Sequence, residues 1–327
     1  MSVDQVPSPP GPLPDSTSGV SVDEAETFLV VRFGAEVTDV EPMGGGAWSK
    51  AYAFRRGGSD YVARFGAFPE DFAKDQLAGR YASPDLPIPV VTEIGRAFDG
   101  FYAISERSFG GFIDELDGEG IRAVLPSLFA ALDAARGAGL SATTGYGPWD
   151  STGRAPYPSW RAALLDIAAD RPGDRGHGWR ERLEASATGA ERFDEALEHL
   201  RTLVGFCPEE RHLIHSDLLH FNVLVAGDRI SAVFDWGNSL YGDFLYDLAW
   251  FAFWSPWYPA WQGIDFREEA ARHFAAIGLE VPHVEERFRC CQVHIGLDGL
   301  KYKAFVGDWE ELETTARRTL AVARGGE

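Results

Sequence analysis

Residues Arg211–Trp254 read RHLIHSDLLHFNVLVAGDRISAVFDWGNSLYGDFLYDLAWFAFW. The Gly-Asp pair at 227–228 lies between two apolar runs, and this pattern predicts a tight β-hairpin. Because a hairpin brings its outer ends together, we expect Asn222 and Asp235 to lie side by side. Asp217 precedes them on a loop after a short apolar strand. The stretch therefore predicts that two carboxylates and an amide meet at one place.

These three groups suit phosphoryl transfer from ATP. Protein side chains usually supply only one or two of the oxygen ligands of ATP-bound Mg²⁺, and Asp235 and Asn222 can provide them. Asp217 is placed to orient the attacking hydroxyl and to accept its proton. The pattern H-x-D-x-x-x-x-N, beginning at His215 and followed by a strand-ending Asp, is the arrangement of protein kinases and their relatives. A polar turn in an ordinary hairpin is the alternative, but the full set at this spacing is much rarer.

Composition limits the classes of protein to consider. The length of 327 residues suggests about two domains or one bilobal unit, and 45% hydrophobic residues can form a sizeable core. We find neither an apolar run of the roughly 20 residues that span a bilayer nor the pattern of a signal peptide. The only cysteines are Cys207, Cys290 and Cys291, an odd number that includes an adjacent pair. Reduced thiols and a cytoplasmic location are therefore expected.

The net charge of −20, from 30 basic and 50 acidic residues, bears on the partner. Such a surface repels nucleic acid and attracts cations. We therefore expect a small cationic acceptor, and neither a nucleic acid nor a membrane as partner. A generally acidic protein composition would explain the charge equally well. A monomer is expected.

The N-terminal third reads as a tail followed by a small antiparallel sheet. Residues 1–20 are rich in Pro, Ser and Gly and are expected to be disordered. From residue 21 onward a capped helix precedes two strands joined by the glycine-rich segment 44–50. Such a turn can lay backbone N–H groups over phosphates, although a plain hairpin is possible. The nucleotide contacts expected here are Gly45, Gly46, Trp48 and Ser49.

The next elements supply a cation and a hinge. A strand near residues 60–65 carries Arg64 where a kinase usually has a phosphate-binding Lys, and Arg can grip phosphate bidentately. A helix starting at Pro69 should provide its acidic partner, with Asp75 preferred over Glu70. Two further strands end at Glu106, where the hinge should meet the adenine. Residues 21–107 would then form the N-lobe.

Beyond the hinge the pattern is helical. Helices are predicted over 119–138, 159–169, 189–204, 266–277, 281–305 and 308–323, with a polar, flexible insert at 170–179. Residues 108–327 would form the C-lobe. The expected fold class is α+β: a bilobal protein-kinase-like fold, with a small N-lobe built on an antiparallel sheet and a larger, mainly helical C-lobe.

Several residues near the catalytic stretch have expected supporting or binding roles. Asp247 lies on a helix that is apolar all round, so its buried carboxylate must be hydrogen-bonded. We expect it to hold the backbone of the catalytic loop and His215. Aromatic faces suit sugars and ammonium groups, but they are equally common in a core. The candidate acceptor contacts are His220, Trp254, Trp257 and Asp298.

A metal-dependent hydrolase is the main rival interpretation. His215, Asp217 and His220 form an H-x-D-x-x-H pattern. A catalytic zinc or iron site would want a third protein ligand, and no remaining histidine has a matching spacing. We therefore disfavour this interpretation.

The chain resembles the aminoglycoside phosphotransferase family, and within it the hygromycin B phosphotransferases, which modify a 4-hydroxyl. The resemblance spans roughly residues 21–324. It is carried by YVARF, LPIPVVTEIG, GYGPW, CPEERHLIHSD, NVLVAGDRISAVFDW, YGDFLYDLAWFAFWSPW and HIGLDGLKY. It implies a kinase-like fold, ATP with Mg²⁺, and an aminoglycoside bound in an acidic C-lobe cleft, as in antibiotic resistance.

The resemblance also implies residue roles. Asp217 would be the base, Asn222 and Asp235 would hold the metal, and Arg64 would replace the usual phosphate-binding cation. The loop 218–221 is bulkier than the Gly, Ser and Asn of the hygromycin enzymes. Another acceptor, such as a macrolide, a choline-like amine or a sugar, therefore stays open. A non-catalytic nucleotide-binding relative is a further alternative.

Overall fold

The computed structural model describes residues 19–45 and 48–326. Most of the expected N-terminal tail and Gly46 lie outside the described residues. The first helix, α1 (Val22–Phe33), begins with the predicted capping box. The Ser21 hydroxyl accepts the N–H of Glu24, and the Glu24 carboxylate accepts the N–H of Ser21. Ala25 and Leu29 on its inner face are buried.

The small lobe is an antiparallel sheet with one helix inserted before its last two strands. Its order is β1-β2-β3-β5-β4. Large apolar side chains, including Phe54, Phe65 and Ile104, pack between this sheet and α1. The elements are β1 (Val37–Gly45), β2 (Ser49–Arg56), β3 (Ser59–Gly66), α2 (Pro69–Ala78), β4 (Val91–Ala97) and β5 (Gly100–Glu106).

The large lobe is mainly helical and carries two small sheets of three strands each. Their orders are β10-β9-β6 and β7-β11-β8. The elements are β6 (Gly111–Phe112), α3 (Gly118–Arg136), β7 (Gly147–Pro148), α4 (Trp160–Leu165), α5 (Trp179–Ala185), α6 (Glu191–Leu203), β8 (His212–Ile214), β9 (Val223–Ala226), β10 (Arg229–Val233), β11 (Leu240–Gly242), α7 (Leu245–Trp254), α8 (Phe266–Ile277), α9 (Val284–Val306) and α10 (Trp309–Ala323).

The predicted hairpin is formed by β9 and β10, which pair antiparallel from Ala226–Arg229 to Val223–Val233. Gly227 at its turn has φ +64°, a conformation that glycine adopts without steric cost. Strand β6 pairs with the other edge of β9. The hairpin is thus held between the segment that follows the hinge and helix α3, on which Ser127 accepts the N–H of Ile230.

Helix α7 lies at the centre of the large lobe, and nine of its ten residues are buried. It packs against α9, which in turn contacts α5, α6 and α10. A helix that is apolar on every face must be surrounded in this way. Because α7 directly follows the catalytic stretch, this core also fixes the position of the site.

The structure corrects the prediction for residues 170–179. These residues form turns that lead into a short helix, α5, which the sequence analysis missed. The Asp170 carboxylate accepts the N–H groups of Gly178 and Arg180, and Trp179 is buried. The polar composition concealed these contacts, which depend on the fold. None of the helices among the described residues has the length and apolar composition to cross a membrane.

Candidate active site

The loop that carries Asp217 is hydrogen-bonded to helix α7. The buried Asp247 carboxylate accepts the backbone N–H of His215 at 2.8 Å and that of Ser216 at 2.7 Å. Burial raises the pKa of Asp247 to about 7, and the two N–H donors oppose this shift. Asp247 therefore contacts the loop through the backbone of His215 and Ser216.

The His215 ring joins the loop to the end of β10. Its Nε2 lies 3.0 Å from the Phe234 carbonyl oxygen, and its Nδ1 accepts the N–H of Asp217 at 3.2 Å. Burial lowers the pKa of His215, so the ring is neutral and Nε2–H is the donor. Both ring nitrogens are therefore engaged, which argues against the H-x-D-x-x-H metal site.

Asn222 and Asp235 lie beside each other, as the hairpin requires. The N–H of Phe234 donates to the Asn222 carbonyl at 3.1 Å. The Asn222 side-chain amide donates to the Asp217 carbonyl at 2.9 Å, so its own oxygen is the atom left for a cation. Asp235 has φ +64°, which turns the chain sharply at the end of the strand. A non-glycine residue in this conformation is uncommon outside constrained sites.

The electrostatics of Asp235 fit a bound cation. Desolvation, followed by the nearby Asp75 carboxylate, raises the pKa of Asp235 to about 6, while Arg64 opposes the shift. Asp217 also raises this pKa, so the two candidate acids lie within electrostatic reach of each other. A hard divalent cation would stabilise the ionised form. The carboxylate of Asp235 and the amide oxygen of Asn222 are thus a suitable donor set for Mg²⁺.

Arg64 on β3 forms an ion pair with Asp75 on α2. Asp75 is the acid that the sequence analysis preferred. Its second oxygen accepts the N–H of Trp236 at 2.7 Å, which ties α2 to the turn after Asp235. Glu70, the second choice, instead accepts the N–H of Ser151 at 2.8 Å.

Helix α2 is linked to the large lobe by two further residues that the sequence analysis missed. Lys74 Nζ donates to the Gly237 carbonyl at 2.7 Å, and burial lowers its pKa to about 8. The Asp71 carboxylate accepts hydrogen bonds from Nη1 and Nη2 of Arg175, each at 2.9 Å. A cavity of ≈ 530 Å³ opens at this junction. The cluster of charged residues on α2 was the sequence signal that could have indicated these contacts. Their partners could not be identified, because they are far away in sequence.

The two strand ends that flank the glycine-rich segment lie at the same end of the sheet as Arg64. Gly45 pairs with Lys50, and Ser49 pairs with Gly66 at the end of β3. The Trp48 ring packs edge-on against Phe68, with centroids 5.7 Å apart. At the far end of β5, the N–H of Glu106 donates to the Val90 carbonyl at 3.2 Å.

Two of the residues expected to bind the acceptor, His220 and Trp254, contact each other beside Asp217. His220 Nδ1 is 2.7 Å from Asp217 Oδ1. Trp254 is buried beneath His220 and contacts it edge-on, whereas Trp257 is only partly buried and donates to Glu311 at 2.7 Å. Asp298 is accessible on α9, yet the surrounding protein raises its pKa by desolvation.

Comparison with known proteins decides the family. The sequence profile described as "Phosphotransferase enzyme family" matches residues 39–284, which includes the hairpin, the catalytic loop and Arg64. The chain belongs to this phosphotransferase enzyme family. The sequence-based expectations of a phosphotransferase and of a kinase-like fold are thereby confirmed.

Individual relatives of this phosphotransferase are similar over nearly its whole length. The Hygromycin-B 4-O-kinase of Escherichia coli is 32% identical over 309 residues, covering 94% of this chain and 86% of that kinase. The crystal structure of aminoglycoside phosphotransferase APH(4)-Ia superposes with a TM-score of 0.81 at 31% identity, covering 94% and 100% of the two chains. A thermostable APH(4)-Ia mutant, in ternary complex with AMP-PNP and hygromycin B, gives 0.78 at 32% identity, with 91% and 97% covered.

Proposed function

We propose that this protein transfers the γ-phosphoryl group of ATP, with Mg²⁺, to a hydroxyl of an aminoglycoside or aminocyclitol of the hygromycin B type. The observation that carries the proposal is the convergence of Asp217, Asn222 and Asp235 on one loop and hairpin. The Hygromycin-B 4-O-kinase and the APH(4)-Ia complex support the nucleotide and the acceptor class. Antibiotic resistance would be the biological outcome.

In this proposal each group has one role. Asp217 orients the acceptor hydroxyl and takes its proton, and Arg64 holds the nucleotide phosphates. Asn222 and Asp235 would hold Mg²⁺, which supplies charge neutralisation to the triphosphate when bound. Residues of the glycine-rich segment and of the hinge would contact the nucleotide: Gly45, Gly46, Trp48, Ser49 and Glu106.

The barrier would fall through positioning and electrostatics, without a covalent intermediate. The chain contributes mainly rigidity: Asp247 fixes the loop backbone, and His215 fixes the spacing between Asp217 and the end of β10. Asp75 holds Arg64 and the turn after Asp235 together. The reacting groups are thereby preorganised before substrate binds.

The acceptor side favours a cation. The net charge is −20, and after desolvation the Asp217 carboxylate contributes to the raised pKa of Asp298, so the two acids lie within electrostatic reach of each other. Trp257 offers an aromatic surface nearby, and Trp254 supports it from the core. We assign His220, Trp257 and Asp298 to acceptor binding.

The loop 218–221 favours a second candidate, a kinase of another small molecule on the same scaffold. Phe221 is exposed there and packs against Phe112 with centroids 5.3 Å apart, adding bulk next to Asp217. A macrolide, a choline-like amine or a sugar would then be the acceptor. We also propose a monomeric, cytoplasmic enzyme whose lobes divide near residue 107.

The test is mass spectrometry of a panel of aminoglycosides, macrolides, choline and sugars after incubation with MgATP. Addition of one phosphoryl group to hygromycin B or another aminocyclitol is expected. Phosphorylation confined to another class would establish the second candidate. Nucleotide binding without transfer to any acceptor would contradict both and indicate a non-catalytic relative. The Asp217→Asn variant serves as the negative control.

A further inference from the structure

His220 is joined to the candidate base in a way that the spacing of the motif did not predict. Its Nδ1 lies 2.7 Å from Asp217 Oδ1, within hydrogen-bond distance. Its ring is flanked edge-on by Trp250 and Trp254, with centroids 6.1 and 5.9 Å away. The ring therefore has a defined position beside the carboxylate.

The backbone beneath this ring is held in an uncommon conformation. His220 and Phe221 have φ of +60° and +68°, two successive non-glycine residues in the left-handed region. Asp114 stabilises both, because its carboxylate accepts the N–H of His220 at 2.8 Å and that of Phe221 at 3.0 Å. The Tyr258 hydroxyl donates to the same carboxylate at 2.8 Å. Such strain is typical of functional positions.

The second ring nitrogen of His220 is available to a ligand. With the Asp217 carboxylate as acceptor, Nδ1 carries the proton. Burial lowers the pKa of His220, but the hydrogen bond to Asp217 and the charges of Asp217 and Asp114 raise it overall. Above that pKa the ring is neutral, and Nε2 is then an acceptor. Among the described residues, no hydrogen-bond partner of Nε2 is found, and 53% of the side chain is exposed. The imidazole thus touches the base with one nitrogen and offers the other to the acceptor region.

We propose that His220 is both a positioning residue for Asp217 and a determinant of acceptor specificity. Its Nδ1–H holds the Asp217 carboxylate in the orientation that meets the reacting hydroxyl. Its Nε2 accepts a hydrogen bond from a hydroxyl or ammonium group on the carbon next to that hydroxyl. The preferred acceptors are therefore vicinal diols or amino alcohols. This inference rests on the proposed function and specifies its acceptor.

Two variants separate the two roles of His220. Asn and Gly both tolerate the left-handed backbone, so the loop conformation should survive in each. His220→Asn keeps a short side-chain N–H donor for Asp217 but loses the acceptor at the position of Nε2. His220→Gly loses both groups. The Asp217→Asn variant is the background control, because phosphoryl transfer that depends on the base is lost in it.

Steady-state kinetics should distinguish the variants. For His220→Asn we expect the KM of the acceptor to rise about tenfold, with kcat within about threefold of wild type and the KM of ATP unchanged. For His220→Gly we expect kcat to fall about tenfold in addition. An acceptor analogue without the neighbouring hydroxyl or amine should be disfavoured by wild type but not by His220→Asn.

These experiments distinguish a failure of the inference about His220 from a failure of the proposed function. If wild type phosphorylates an acceptor while both His220 variants keep its kcat and acceptor KM, the inference is wrong and the proposed function stands. If both variants lose discrimination between the acceptor and its analogue, the inference is supported. If wild type transfers no phosphoryl group at all, the proposed function fails and this inference fails with it.

Discussion

Asp217 is contacted by three different side chains at three different atoms. His215 accepts its N–H, Asn222 donates to its carbonyl, and His220 lies against its carboxylate. None of these contacts comes from a residue more than five positions away in sequence. The catalytic loop therefore constrains its own base locally, and distant residues such as Asp247 and Asp114 constrain the loop.

At this residue scale, Asp217→Asn is the most direct prediction. The amide has the shape of the carboxylate but cannot accept the proton of the acceptor hydroxyl. We expect kcat to fall by about two to three orders of magnitude, while the KM of ATP stays near that of wild type. Steady-state kinetics measures both, and a thermal unfolding curve checks the fold. Unchanged turnover would remove Asp217 from its assigned role.

His294 gives a prediction about pH and stability. Burial, with a contribution from Lys301, lowers the pKa of His294 to about 3, and its Nδ1 is bonded to the Tyr246 hydroxyl at 2.9 Å. Between about pH 3 and the ordinary value near 6.5, the unfolded chain binds this proton more readily than the folded one. The free energy of unfolding therefore falls as the pH is lowered through that window.

His294→Asn tests this, because Asn keeps an acceptor for Tyr246 but does not titrate. Between pH 7 and pH 5, the wild type should lose about 2 kcal/mol more unfolding free energy than the variant. Urea unfolding at the two pH values measures the difference. Parallel losses in both proteins would show that His294 is protonated without penalty in the folded state.

At the scale of elements, α2 acts as the joint between the lobes. Four of its residues bond to three segments of the large lobe: Glu70 to Ser151, Asp71 to Arg175, and Lys74 and Asp75 to the turn at Trp236 and Gly237. A Cβ at Gly237 would lie 3.4 Å from both Asp71 Oδ1 and Asp235 Oδ1, so the Arg175–Asp71 pair borders the proposed metal site. Movement of α2 would therefore disturb the nucleotide groups.

Arg175→Ala should weaken nucleotide binding. Arg175 pairs with Asp71, stacks on Phe68 at 3.8 Å and lies 5.7 Å from the Trp48 ring, so it connects the glycine-rich turn to the large lobe. Without it, the Asp71 charge near the phosphates is unpaired. We expect the KM of ATP to rise about three- to tenfold, with the KM of the acceptor unchanged.

The matched control for this prediction is Arg171→Ala. Arg171 lies on the same segment and pairs bidentately with Asp166, away from α2. We expect its substitution to leave both KM values unchanged. Equal effects of the two substitutions would mean that the segment as a whole, and not the Arg175–Asp71 pair, supports the nucleotide site.

At the scale of the whole molecule, the two lobes have separate hydrophobic cores among the described residues. One core lies between α1 and the sheet, and the larger one surrounds α7 and α9. Polar contacts of α2, together with the segment at 86–88 that packs into the larger core, join them. A ligand held between the lobes should therefore stabilise the whole chain.

MgATP should raise the melting temperature accordingly. At a concentration 100 times its Kd, a ligand that binds only the folded state adds about 2.7 kcal/mol, which is roughly 4 °C for a protein of this size. Asp235→Asn should abolish most of this shift, since one proposed metal ligand loses its charge. Differential scanning calorimetry with and without EDTA measures it. The same shift in wild type and variant would exclude Asp235 from metal binding.

Local signals in the sequence predicted most of the fold. Alternating apolar residues and glycine turns placed the strands of the small lobe, and helical periodicity placed α3, α6, α8 and α10 within a few residues. The short helix α5 was missed because its first residue, Trp179, is buried by contacts with distant elements such as Phe193 on α6. A seven-residue helix carries too little periodicity to be recognised without them.

By itself, the sequence determined that Asn222 and Asp235 are neighbours, because Gly227-Asp228 forces a two-stranded pairing and the register follows from it. Only the tertiary structure decided that Asp114 holds the backbone of His220 and that Arg175 binds Asp71. The physical reason is distance along the chain. Contacts between residues a hundred positions apart depend on how the lobes pack, and no local pattern encodes that packing.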